Sequence, residues 1–188
     1  MTVLDTDRGA ELIAVAHDLA PRIAVRGDEI ERERRLPDDL VQELKDAGIF
    51  RMFQPRAYGG DEIDPLTALT VEETLAHADG SVGWCLTRAL AGGILNAQLD
   101  PDFAAEAYGA DPLIVFAGTL NPPGEAIVVN GGYRVSGRRP FGSGCRHASW
   151  MQGICRVIDD GELRLMENGQ PELRSVNFPA AEVEILDT

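Results

Sequence analysis

The sequence predicts an α+β protein. An all-α helical domain over residues 1–111 precedes an antiparallel β-barrel-like middle domain over 112–188, which is expected to be incomplete at its C-terminal end. Three observations carry this expectation. Apolar residues recur at helical spacing up to about residue 110. From Leu113 onward, short runs rich in Val and Ile are separated by Asn130-Gly131-Gly132 and Asp159-Asp160-Gly161, which favour tight hairpins. The helices come first and the strands second, which indicates segregated layers rather than alternating β/α units.

The first helix is expected from Glu11 to Arg34, with Leu12, Val15, Ala16, Leu19, Ile23 and Ile30 inward and a kink or split at Pro21. Its end, Glu29 to Arg35, is densely charged and reads as a solvated face. Pro37-Asp38-Asp39 opens a second helix, with acids in the first turn suiting its dipole. Leu40, Val41, Leu44 and Ala47 point inward, and Gly48 closes it. After a loop from Phe53 to Gly60, a third helix runs from about Pro65 to Ala78. Asp79-Gly80-Ser81 ends it and caps a fourth, Val82 to about Leu99, and Pro101 to Tyr108 forms a short fifth. Strands are expected at Leu113–Ala117, Ala126–Val129, Tyr133–Ser136, Met151–Ile158, Glu162–Met166, Glu172–Phe178 and Glu182–Leu186. The last has no closing element after it, so an open edge is expected unless further chain follows.

Composition excludes several function classes. The net charge of -14 opposes binding to nucleic acid, whose phosphates need a basic surface, and to anionic membrane. No apolar run is long enough to span a bilayer, and Met1 to Asp5 lack the basic and apolar regions of a signal peptide. Cys85, Cys145 and Cys155 are odd in number and form no CxxC pair, which fits a reducing cytoplasm. His17, His77 and His147 show no metal-ligand spacing, so no metal is expected.

GxGxxG, P-loop, HExxH and GxSxG patterns are all missing from the sequence. What remains is the stretch from Gly131 to Trp150, a strand and a bend in which Ser143 sits between Gly142 and Gly144. Glycines let a backbone approach a flat ligand without a Cβ in the way. An ordinary turn serine is the competing reading.

The order of several motifs resembles the acyl-CoA dehydrogenase superfamily. Leu36-Pro37-Asp38-Asp39-Leu40 through Ala47-Gly48-Ile49-Phe50, then Tyr58-Gly59-Gly60, then Asp79-Gly80-Ser81-Val82-Gly83-Trp84 look like its N-terminal helical domain. Tyr133 to Trp150 look like its middle β domain. The resemblance implies a flavin, FAD or FMN. Phe141 falls on an aromatic position beside the ring, and Ser143 on a hydroxyl position near the ring nitrogen N5. Gly142 and Gly144 shape the same loop, and Trp150 falls on a tryptophan that commonly follows. Ser81 and Trp84 fall at a helix start lining the pocket, with Trp84 in the helical core as the plainer alternative.

Dehydrogenases proper carry Thr-Glu-Pro and then Gly-Ser before the hairpin. Here the segment is Gly118-Thr119-Leu120-Asn121-Pro122-Pro123-Gly124-Glu125-Ala126, which keeps the Pro and Gly but not the acid or Ser. That looks more like the reduced-flavin monooxygenases, although Arg139 stands where many of them carry Trp. The implied activity is hydroxylation of a small organic substrate with a flavin reductase as partner. The alternatives are an FAD-dependent acyl-CoA dehydrogenase, or a non-catalytic remnant or subunit that docks on a separate helical bundle. Family members also carry a C-terminal helical bundle that completes the site and builds a homo-oligomer. No residue of this chain falls on a catalytic position of that bundle, so the catalytic residues are left unknown.

Overall fold

The α1 helix, Thr6–Ala24, buries Leu12, Ala16, Leu19 and Ile23, one stripe at the helical repeat. The computed structural model describes residues 6–110 and 114–186. Met1 to Asp5, the expected boundary at 111–112, Leu113 and the final two residues lie outside the described residues. The expected split falls a few residues past Pro21: α1 continues to Ala24, and the chain breaks at Val25-Arg26 before α2, Gly27–Glu33. Pro21 sits in an exposed last turn, where the one backbone bond it forfeits costs least. Arg26 then holds α2 to α3, Asp38–Asp46, by a two-pronged bond to Asp39 of 2.8 and 2.9 Å and a third to Glu29.

The α4 helix, Pro65–Ala78, begins where its proline and the Asp64 cap place it. The α5 helix, Gly80–Asn96, is capped by Asp79, whose carboxylate accepts the Ser81 and Val82 N–H groups at 2.9 and 3.0 Å. The two cross closely: a Cβ on Gly83 would lie 2.4 Å from the Ala76 Cβ. The α6 helix, Pro101–Ala110, packs Phe103, Ala104, Ala107 and Tyr108 against Ile114, Phe116 and Trp150.

Five strands follow, in the path β2-β1-β3-β4 with β5 also on β3. They are β1 Phe116–Val129, β2 Gly132–Ser136, β3 Trp150–Asp159, β4 Glu162–Leu163 and β5 Leu173–Pro179. Both hairpins stand where the glycine turns put them. The α+β class holds, and the β1–β2, β3–β4 and β3–β5 pairs are antiparallel as expected, but the sheet is mixed rather than wholly antiparallel and does not close as a barrel. The β1–β3 pair is parallel, because the chain from β2 through residue 149 crosses back before β3 begins. Among the described residues the sheet is open. Residues 116–117 and 126–129 of the two expected strands are parts of one strand that runs through Pro122-Pro123, with an irregular register between Thr119 and Gly124. That irregularity lets the prolines, which lack N–H donors, sit within the strand. The expected strand at Glu182–Leu186 is absent: a 3-10 turn, Ala180–Glu182, follows Pro179.

The helical part meets the sheet along α5, α6, β1 and β3. Arg88 donates to the Gly118 carbonyl at 3.3 Å, and Gln152 to Asn96 at 3.3 Å. Trp150 meets Phe103 edge-on at 5.1 Å between ring centres, so it belongs to the core of this joint rather than to a ligand site. Among the described residues, no helix is long and apolar enough to cross a membrane.

Candidate functional site

The bend from Gly142 to His147 is a run of tight turns, with Cys145 N–H bonded to the Gly142 carbonyl at 2.9 Å and His147 N–H to Gly144 at 3.1 Å. It comes to rest against the first turn of α5. The Trp84 Nε1–H donates to the Ser143 hydroxyl oxygen at 2.9 Å, joining the helical part to the β part. An indole N–H can only donate, so Ser143 keeps its own O–H and a further lone pair for a ligand.

Behind this contact lies a cavity of about 500 Å³. Ser81, Trp84 and Cys85 of α5 form one wall. Ser143 to His147 form a second. Ile30, Glu31, Arg34, Arg35 and Leu36 form the third. The volume suits an organic ligand of modest size. Of the residues expected at a ligand site, Ser81, Trp84, Ser143 and Gly144 are brought together here. Phe141 and Gly142 are not on the wall. Trp84 is 54% exposed and is not a core residue. Phe141 is 89% exposed and holds a left-handed backbone, φ 56°, an uncommon conformation for a bulky side chain.

Three residues on the wall escaped the sequence. Glu31, Arg34 and Arg35 read as a solvated helix face, yet they bound the cavity. Only α2's placement by Arg26 and Asp39 turns that face toward α5, and charge patterning alone carries no such signal.

His147 stacks on Phe50 with ring centres 5.8 Å apart, and its Nε2 is buried with no hydrogen-bond partner. Burial, with a smaller contribution from Lys45, pushes its pKa down to about 4, so the imidazole is neutral at pH 7. Burial also raises the Cys85 thiol to about 11 and raises Cys145. Both remain protonated and neither is a ready nucleophile. Among the described residues, no group of three His, Cys, Asp or Glu is placed to hold a metal.

Arg139 does not face the cavity. Its guanidinium fills a slot above Gly124 and Gly153, where added Cβ atoms would lie 2.4 and 2.6 Å away, and it donates to the Ile154 carbonyl and the Cys155 Sγ. It ties the approach to the Ser143 bend onto β3.

Residues 11–97 match the family described as the N-terminal domain of acyl-CoA dehydrogenase. The chain is 35% identical over 190 aligned positions to the oxygenase subunit HsaA of a flavin-dependent monooxygenase of Mycobacterium tuberculosis, covering 100% of this chain and 46% of that protein. It is 31% identical to the oxygenase component of an FADH2-dependent resorcinol hydroxylase of a Rhizobium species, over 85% of this chain and 38% of the relative. A crystal structure of the M. tuberculosis HsaA monooxygenase superposes with a TM-score of 0.87 at 33% identity, over 96% of this chain and 47% of the other. XiaF from a Streptomyces species, solved with FADH2 and glycerol, gives 0.86 at 29%, over 97% and 45%. The chain thus spans less than half the length of each of these relatives. With 35% identity along the whole chain and a TM-score of 0.87, the chain belongs to the acyl-CoA dehydrogenase superfamily, in the branch that holds these flavin-dependent monooxygenases.

Proposed function

We propose that this chain supplies the N-terminal helical and middle β parts, divided near residues 111–112, of a reduced-flavin monooxygenase that hydroxylates a small organic substrate. The observation that carries the reading is the Trp84–Ser143 bond at the mouth of the cavity. It fixes a glycine-flanked hydroxyl in a sheltered site in a chain whose relatives are named as flavin-dependent oxygenases.

The residues fit a flavin, FAD or FMN. Ser143 has hydrogen-bonding capacity left over, Gly142 and Gly144 permit backbone approach, and Phe141 offers an aromatic surface not used in packing. Bound reduced flavin supplies the two electrons with which one atom of O2 enters the substrate and the other leaves as water. Ser143, oriented by Trp84, holds the ring edge. Ser81 and Trp84 face the substrate, and the neutral His147 closes the far wall without adding charge.

The altered segment at Thr119 to Gly124, irregular in register and lacking the acid and Ser of dehydrogenases, favours hydroxylation over acyl-CoA oxidation. The relatives named as oxygenase subunit or component support a separate flavin reductase as partner. The exposed Trp84, Phe141, Ile94, Leu95 and Leu120 favour a further covering element, in a homo-oligomer or from a helical bundle. Three free cysteines suit a cytoplasmic setting.

The test supplies the protein with NADH, flavin, a flavin reductase, phenols and 18O2. Product carrying one labelled oxygen is expected. Anaerobic oxidation of an acyl-CoA without labelled product would replace this reading with the dehydrogenase.

A further inference from the structure

We propose that Cys85 of α5 and Cys145 of the bend form a redox-modification site, joined by hydrogen peroxide into a disulfide that clamps the mouth of the cavity. The pairing does not depend on the flavin reading, which supplies only one source of the oxidant.

Three contacts in series bring the two thiols together. The Trp84 indole N–H donates to the Ser143 hydroxyl at 2.9 Å. One residue along from each partner, the Gly144 backbone N–H reaches the Cys85 sulfur. One residue past Gly144, Cys145 lies near enough for its charge to act on the Cys85 thiol. Both cysteines are half-buried and both line the cavity, so a small oxidant reaches them through it. The bend also fixes where Cys145 stands. Its N–H is bonded to the Gly142 carbonyl at 2.9 Å, and Gly144 before it turns at φ 83°, a conformation that suits glycine. Cys155 stands elsewhere: it is fully buried on β3, and its Sγ accepts from the Arg139 guanidinium at 3.0 Å.

Hydrogen peroxide forms wherever a reduced flavin gives two electrons to O2 with no substrate to oxidise. One thiolate sulfur attacks a peroxide oxygen. The O–O bond breaks, and hydroxide leaves and is protonated to water. The second thiolate attacks the resulting sulfenic acid at sulfur. The S–O bond breaks, the S–S bond forms, and a second water leaves. In all, two thiols lose two electrons and two protons, and one peroxide becomes two waters.

Burial, and then the neighbouring Cys145, raise the Cys85 thiol to about 11, and burial raises Cys145. Thiolate is scarce at pH 7, so the step is slow there and quickens about tenfold from pH 7 to pH 8. In a reducing compartment the bond is transient, made under sustained peroxide and undone by thiols.

The test incubates the full chain with hydrogen peroxide at pH 8, alkylates the remaining thiols in denaturant and maps the digest by mass spectrometry. The wild type is expected to lose two of its three free thiols as a monomer, giving a Cys85–Cys145 cross-linked peptide with Cys155 alkylated. Its thermal midpoint should rise by about 5 °C or more and return with dithiothreitol. Cys85→Ala and Cys145→Ala should each abolish the cross-link and the rise. Oxidised in denaturant, the wild type should instead favour Cys145 with Cys155, the pair closest in sequence. Three intact thiols, sulfinic acid without a cross-link, a bond to Cys155 in the folded chain, or bonds only between chains overturn the proposal. So does the same pairing in both states, or an oxidised chain no more stable than the reduced one. No flavin enters this assay, so a failed flavin titration removes one source of peroxide and leaves the disulfide standing.

Discussion

Ser143 is held by a donor 59 residues away in the chain. The sequence placed Ser143 in a glycine bend and Trp84 at a helix start, but a contact across that separation leaves no local pattern. Trp84 also shows how far motif reading reaches. Its capped helix start was legible from Asp79, whereas its exposure depends on what α5 packs against. His147 is marked in the sequence only by its lack of metal-ligand spacing, and in the fold it is stacked and desolvated. Its folded pKa, about 4, lies below the unfolded value of about 6.5. The unfolded chain therefore binds more protons between these values, and stability rises with pH across that window. This contribution is complete above about pH 6.5 and is lost as pH falls toward 4. Denaturant unfolding at pH 7 and pH 4.5 should show the wild type losing on the order of 2 kcal/mol more than His147→Gln. An equal loss in both would mean that His147 is not desolvated.

At the scale of elements, the helices were largely legible because each buries a single stripe and carries its own start signal, as in Asp64-Pro65 and Asp79-Gly80. The sheet was less so. Hairpins announce themselves through turn glycines, but the parallel β1–β3 pair joins strands separated by a crossover, and nothing local sets that pairing. Likewise, the charged end of α2 keeps the same sequence pattern whether it faces water or a cavity. Gly83 was quoted only within a motif, and its physical role is the close crossing of α4 and α5. Gly83→Ala should lose about 2 kcal/mol of unfolding free energy, because the Ala76 Cβ and backbone cannot move aside as a flexible side chain would. Gly109→Ala, with open space around its Cβ and a helical setting, should be neutral or stabilising by up to about 1 kcal/mol. A Gly83→Ala variant as stable as the wild type would contradict the close crossing.

Over the whole molecule, the cavity depends on the joint between helices and sheet. Gly92 lets Phe116 approach α5, Arg88 and Asn96 reach β1 and β3, and Phe103 meets Trp150. This joint sets the Trp84–Ser143 distance and so the mouth of the cavity. The change from helices to strands was legible from the change of periodicity, and the bend around Ser143 from its glycines. The third wall of the cavity was not, because it forms only when α2, α5 and the bend assemble. The Ser143 bend is proposed to form one side of a flavin site, and anaerobic titration of reduced FAD and FMN into the wild type, Ser143→Ala and Phe141→Ala checks this. Saturable binding to the wild type is expected, weakened about fivefold or more by losing the Ser143 hydroxyl and also weakened by losing the Phe141 ring. No binding to the wild type, or affinity unchanged by both substitutions, would contradict it.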